Sequence, residues 1–139
     1  CEELGVSQIV WSPMAQGVLT GKYLPGQPVP ANSRAANEKV NGFIQKLLTD
    51  DVLTRVQQLK PMADELGITM AQFSLAWVLQ NKNVSSAIVG ATTPEQITSN
   101  LGAVGVEIPS EIMKKVDELF APIAVTDPSE TKAPETRLV

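Results

Sequence analysis

The chain has 139 residues, of which 43% are hydrophobic and 19% charged, with a net charge of -4 and a pI near 4.8. That length can bury one modest core, the charge content is too low for a disordered tail, and the acidic balance without a basic, aromatic-interleaved face excludes a general nucleic-acid binder. Zero histidines and the single Cys1 exclude a catalytic histidine, His-based metal sites, an internal disulfide and a zinc constellation.

Residues 1–6 read as the last turn of a helix stopped by Gly5, so the chain is expected to open inside an element and to be a fragment. Gln8 to Trp11 is a short apolar run ahead of Pro13, which suits a buried parallel strand. The strand opens into small residues ending in a lysine. Gly17 and Gly21 permit close backbone approach to an anion, Ser12 and Thr20 offer hydroxyls and Lys22 supplies charge, as a phosphate grip requires. Residues 24–37 hold three prolines and little periodicity, which predicts a long ordered loop.

A weak helix is expected from about Glu38 to Leu48, and a stronger one from Asp50 with Val52, Val56, Leu59, Ala63 and Leu66 on one face. Gly67 should end it and Pro61 should kink or split it. Thr69 and Gln72 have capping-box spacing and open a helix that is apolar nearly all round through Phe73, Leu75, Ala76, Trp77, Val78 and Leu79. Such a helix must be buried in something larger. Val84 to Val89 is the second predicted strand, running into Gly90 and a helix that opens at Thr93, with Pro94 at the favoured first position and Gln96 completing another box. Ser110 is expected to cap a last helix whose Ile112, Met113, Val116, Leu119 and Phe120 face inward, which leaves residues 1–120 as the folded segment and 121–139 as a loose tail.

Two strands, each followed by helical material, predict an α/β fold with parallel pairing. Buried parallel strands need neighbours, so about four to six further strands in a (β/α)8 barrel of about 250 residues are implied. In that barrel the phosphate site follows the last two strands at their carboxyl ends, with a helix N-terminus aimed at the anion. Gly90 to Gln96 offers such a turn: close approach at Gly90, a hydroxyl at Thr92, and free amides with a partial positive charge at the helix start.

Each of these residues also has a plainer reading. Taken alone, Gly90 to Gln96 is equally an ordinary strand-to-helix turn, Trp11 reads more readily as core, and Lys22 and Arg34 read as solvated surface charges. Trp77 reads as core throughout, and Met62, Met70 and Met113 as gap fillers. Tyr23, the only tyrosine, reads as a prop for the loop, not a proton donor. Asp50-Asp51 and Glu2-Glu3 read as a cap and a solvated face.

Together the two stretches closely resemble the C-terminal third of an NADP-dependent aldo-keto reductase, in the branch that includes voltage-gated potassium channel beta subunits and related bacterial reductases. The resemblance covers about residues 1 to 120. It implies that Trp11, Ser12, Pro13, Met14, Ala15, Gln16 and Lys22 line the cofactor, joined by Arg34 after Ser33, and by Gly90, Thr92, Gln96 and Asn100 after the second strand. Lys22 and Arg34 would then neutralise phosphate, Thr92 and Gln96 would donate hydrogen bonds, and Asn100 would reach the adenine. Which cation meets which phosphate stays open. The channel-subunit pattern has a glutamate just before the asparagine, where this chain has Ser99, so a contact to the adenine or a ribose hydroxyl is expected to be weakened.

The implied cofactor is NADPH and the implied substrate a small carbonyl compound. The family's catalytic tyrosine, lysine, aspartate and histidine come from the first half of the barrel, so no catalytic residue is assigned here. Alternatives are a redox-sensing regulatory subunit or an inactive truncated barrel. The chain alone is expected to lack reductase activity and to associate with the other half of the barrel or with itself. With no signal-like or membrane-length apolar run, the expected location is the cytoplasm without membrane insertion.

Overall fold

The computed structural model describes residues 2–126 and 129, and most of the tail expected over 121–139 lies outside the described residues. Glu2–Leu4 form a 3-10 turn closed by Gly5 at φ 64°. Strand β1, Gln8–Trp11, pairs in parallel with β2, Val84–Ile88, and the register sets Val10 against Ala87 and Trp11 against Ile88. The parallel pairing agrees with the sequence. The expected burial does not, because Ile9, Trp11 and Ile88 are 67%, 68% and 59% exposed. Among the described residues the sheet has two strands, and most positions on both of them are exposed or only half-buried.

The apolar core lies instead among the helices. Helix α1, Asp50–Gln58, starts where the Thr49 hydroxyl accepts from Val52 N–H. Pro61 then splits the expected long helix: α2, Lys60–Glu65, takes the proline into its first turn, where a missing N–H costs no intrahelical bond. Helix α3, Met70–Leu79, is opened by the full capping box, with Thr69 N–H donating to Gln72 Oε1 at 2.9 Å and Gln72 N–H donating to Thr69 Oγ1 at 3.2 Å.

Phe73 and Ala76 of α3 join Val56, Leu59 and Ala63 in one cluster. Val18 and Tyr23 enter it from the loop after β1, and Ile112 and Val116 enter from α5, Ser110–Phe120. Met62 and Met113 pack around its rim as gap fillers. Arg55 fastens α1 to α5 by donating to Leu119 O at 2.6 Å.

Four further expectations are corrected. Trp77 is 41% exposed although it shares a helix face with Met70, Phe73 and Ser74, because the buried stretch of α3 ends at Ala76. Residues 38–48 form turns and a 3-10 helix, Gln45–Leu47, rather than an α-helix. There Asn37 Oδ1 accepts from Lys39 N–H and Asn41 Nδ2 donates to Ala35 O, local bonds that compete with helical ones. Ser110 is the first residue of α5 and not its cap, since Pro109 precedes it in the N-cap position and no side chain caps that helix. Finally, Thr93 precedes α4, Pro94–Leu101, without a side-chain cap bond.

Candidate functional site

Parallel pairing sends both strands in the same direction, so the loop after Trp11 and the turn after Ile88 leave the sheet at one end. Ser12, Ala15 and Gln16 carry φ values of 53°, 48° and 59°, and they are the only non-glycine residues with positive φ among the described residues. Each such conformation costs an ordinary residue about 1 kcal/mol or more. Their clustering in one loop has to be held by surrounding bonds.

Those bonds are visible. Ala15 N–H donates to Ser12 O at 2.9 Å and Gly17 N–H to Met14 O at 2.8 Å, while the Gln16 carboxamide nitrogen donates to the Ser12 hydroxyl. Thr20 Oγ1 closes the loop by donating to Gly17 O at 2.7 Å, with Pro13 and Val18 buried beneath. Gly17 adopts φ 95°, and the ammonium of Lys22 lies 3.5 Å from the place where a Cβ would stand. A side chain at that position would be strained by the positive φ, while its Cβ would only touch the cation at ordinary contact distance.

Lys22 is exposed, with its ammonium 5.4 Å from the Tyr23 ring centroid. Tyr23 is 1% exposed and its hydroxyl accepts from Ala35 N–H at 3.4 Å, so it props the loop as its sequence context suggests. Arg34 is exposed on the 3-10 turn Arg34–Ala36, and Ser33 before it is buried with its hydroxyl unpartnered among the described residues. Trp11, exposed at the strand end, meets Phe43 edge-on with ring centroids 6.4 Å apart and does not enter the core.

On the second strand's side, Gly90 is open and a Cβ there would meet nothing within 4 Å. Gln96 does not reach back to Thr93. Its Oε1 accepts from Thr92 N–H at 2.8 Å and from the Thr92 hydroxyl at 3.2 Å, one residue beyond the expected box. Asn100 lies one turn beyond Gln96 and is half-buried, while Ser99 is exposed. The carboxyl of Glu95 is held below the usual carboxylate range by its own backbone amide and then by the Thr93 hydroxyl, in keeping with its place in the first turn of α4.

Helix α3 ties the two halves together. Ser74 Oγ shares its one proton between Met70 O at 2.8 Å within α3 and Leu19 O at 3.3 Å in the first loop, and Gln72 Nε2 donates to Ser99 O at 2.7 Å in α4. The end of α4 approaches so closely that a Cβ on Gly102 would collide with the Gln72 carboxamide.

Gln57 was not singled out by sequence. Its Nε2 donates to Gly21 O and to Tyr23 O, both at 3.0 Å, across more than thirty residues of chain, and no local pattern encodes such a bond. The left-handed residues Ala15 and Gln16 likewise carry no composition signal. Among the described residues no group of histidine, cysteine, aspartate and glutamate is arranged to hold a metal, and no helix is long and apolar enough to cross a membrane.

The chain matches the model of the Aldo/keto reductase family over residues 1–121. It is 51% identical over 102 residues to a "Probable voltage-gated potassium channel subunit beta" of Arabidopsis thaliana, covering 73% of this chain and 31% of that protein. A protein of the same description from Oryza sativa subsp. japonica is 43% identical over 129 residues, 93% of this chain and 38% of the relative. "L-glyceraldehyde 3-phosphate reductase" of Escherichia coli K12 is 40% identical over 99 residues, 71% of this chain and 29% of the relative. The chain thus spans about a third of the length of these relatives. The (β/α)8 barrel of that family accommodates two adjacent parallel strands followed by helices, and the chain belongs to the aldo/keto reductase family.

Proposed function

We propose that this chain holds NADPH for an aldo-keto reductase that reduces a small aldehyde or ketone to the alcohol. The observation that carries the reading is the parallel register, which brings the strained, lysine-bearing loop and the opening of α4 to one end of the sheet. The residues there suit a dinucleotide. Lys22 and Arg34 are exposed cations without an ion-pair partner among the described residues, and Gly17 and Gly90 leave room for close approach. Gln96 offers its carboxamide nitrogen beside the positive end of α4, and Thr92, whose N–H and hydroxyl donate to Gln96 Oε1, would turn its hydroxyl to the cofactor, with Asn100 a turn further on. Trp11 to Gln16 would form the floor against which the rest of the cofactor lies.

The cofactor supplies the hydride in such a reaction. The acid that protonates the product oxygen is not assigned to this chain, because Tyr23 is buried in the core with its hydroxyl turned to Ala35. The exposed apolar residues of β1 and β2 would be covered by further strands of the barrel, and the isolated 139-residue chain would be inactive and prone to association.

Titrating NADPH and NADH against wild type and Arg34→Ala tests the assignment. Loss of a charge-assisted phosphate contact should weaken NADPH by about 1 to 3 kcal/mol more than NADH. An equal loss for both cofactors would remove Arg34 from recognition of the extra phosphate.

The higher identity to the two plant potassium channel beta subunits than to the reductase favours one second reading, in which the bound cofactor reports redox state to a partner. Steady turnover of a simple aldehyde by the protein at its native length would decide for the enzyme.

A further inference from the structure

We propose that Tyr23 and Gln57 are positioning residues that fix Lys22 and Arg34 relative to one another and so set the preference for a cofactor carrying the additional ribose phosphate. The proposal rests on the reading of this site as a dinucleotide phosphate cradle.

Gln57 projects from α1, and its single amide nitrogen spends both hydrogens on Gly21 O and Tyr23 O, each at 3.0 Å. Those carbonyls flank Lys22, so the backbone that carries the lysine is held on both sides by one side chain. Tyr23 continues the connection. Its ring lies below the Lys22 ammonium at 5.4 Å, and its hydroxyl accepts from Ala35 N–H, the peptide immediately after Arg34. Ala35 is itself buried, and its carbonyl accepts from Asn41 Nδ2 at 3.2 Å. The segment bearing Arg34 is therefore pinned on one side by Tyr23 and on the other by Asn41.

Tyr23 is thus the one residue in this network that touches both cation-bearing segments. Lys22 and Arg34 are exposed, and their side chains have many rotamers to lose when they close on a phosphate. Holding both backbones in advance reduces what must be ordered on binding. An arginine contact to phosphate also depends on direction, so a small shift of its base costs more than the same shift under a point charge. A cofactor without the extra phosphate makes little use of the spacing between the two cations.

Tyr23→Phe keeps the ring and its core volume and removes the acceptor for Ala35 N–H. Gln57→Met keeps the length and removes both donors. In the protein at its native length, fluorescence titration should show each variant binding NADPH about fivefold more weakly. NADH affinity should stay within about twofold of wild type, since the lost bonds serve only the second cation pairing.

A role confined to stability would weaken both cofactors alike or neither, and either result overturns the proposal. If Gln57→Met does not fold, Tyr23→Phe decides alone. If wild type does not prefer NADPH, or if Lys22→Ala and Arg34→Ala leave the preference intact, the phosphate-cradle reading itself fails. If those two variants abolish the preference while Tyr23→Phe and Gln57→Met preserve it, the cradle stands and the positioning role is refuted.

Discussion

Phe73, Val56 and Ile112 on the helical side are almost sealed from solvent, whereas Ile9, Trp11 and Ile88 on the sheet are more than half exposed. Both sets are apolar, so hydrophobicity does not distinguish them. The difference lies in how their neighbours are supplied. Helices α1, α2 and α5 carry apolar stripes and α3 is apolar nearly all round, and these surfaces meet each other within this chain. The strands alternate or fill both faces, and each face needs its own covering layer. The candidate cofactor loop runs between these two regions: Val18 and Tyr23 root it in the helical core while Ser12 and Gln16 stay at the sheet end.

Substitution should expose this contrast most strongly in the cores themselves. Phe73→Ala is expected to cost about 3 to 5 kcal/mol, the usual loss for emptying a buried aromatic site. Ile9→Ala should cost the isolated chain far less, since most of that side chain is already hydrated. Urea unfolding of the two variants makes the comparison. Equal losses would mean that the sheet face is covered in solution, as association of the chain would do.

A smaller contrast lies in the helix starts. Thr69→Ala removes a reciprocal cap on the helical side and should cost about 1 kcal/mol, while Thr93→Ala, with no cap bond to lose, should cost less than half of that. Thermal melts of the pair would reverse the ranking if the cap geometry at α4 differs in solution.

The smallest expected effect is a pH dependence at Glu95. Its carboxyl is held below the usual range in the fold, so its contribution is present above the unfolded value and fades as the pH falls through the folded one. Stability curves of wild type and Glu95→Gln should therefore converge in acid below the ordinary carboxylate range and separate towards neutrality. Parallel curves across that window would remove the interaction.

Much of the helical side was legible because its signals are local. Pro61 must interrupt a helix whatever surrounds it, and Thr69 with Gln72 satisfies backbone donors within one turn. The same spacing at Thr93 and Gln96 misled, because Thr92 N–H and its hydroxyl competed for the glutamine oxygen and won. Ser110 misled in a similar way: a good capping residue had already passed into the helix behind Pro109. At the site, the residue types and their order could be read, but the left-handed backbone at Ser12, Ala15 and Gln16 could not, since it opposes their intrinsic preference and exists only where the surroundings hold it.

The sequence by itself determined the α/β alternation, the strand at Gln8–Trp11, the break before Pro61, the box at Thr69 and the prop at Tyr23, each through covalent geometry or bonds made within a few residues or through the only available tyrosine. Only the tertiary structure decided that Trp11 and Trp77 stand in solvent, that Gln57 brackets Lys22, and that α3 ties the two candidate loops together. Those outcomes depend on which surfaces meet across tens of residues, and burial is a property of the meeting surfaces rather than of the residue that is buried.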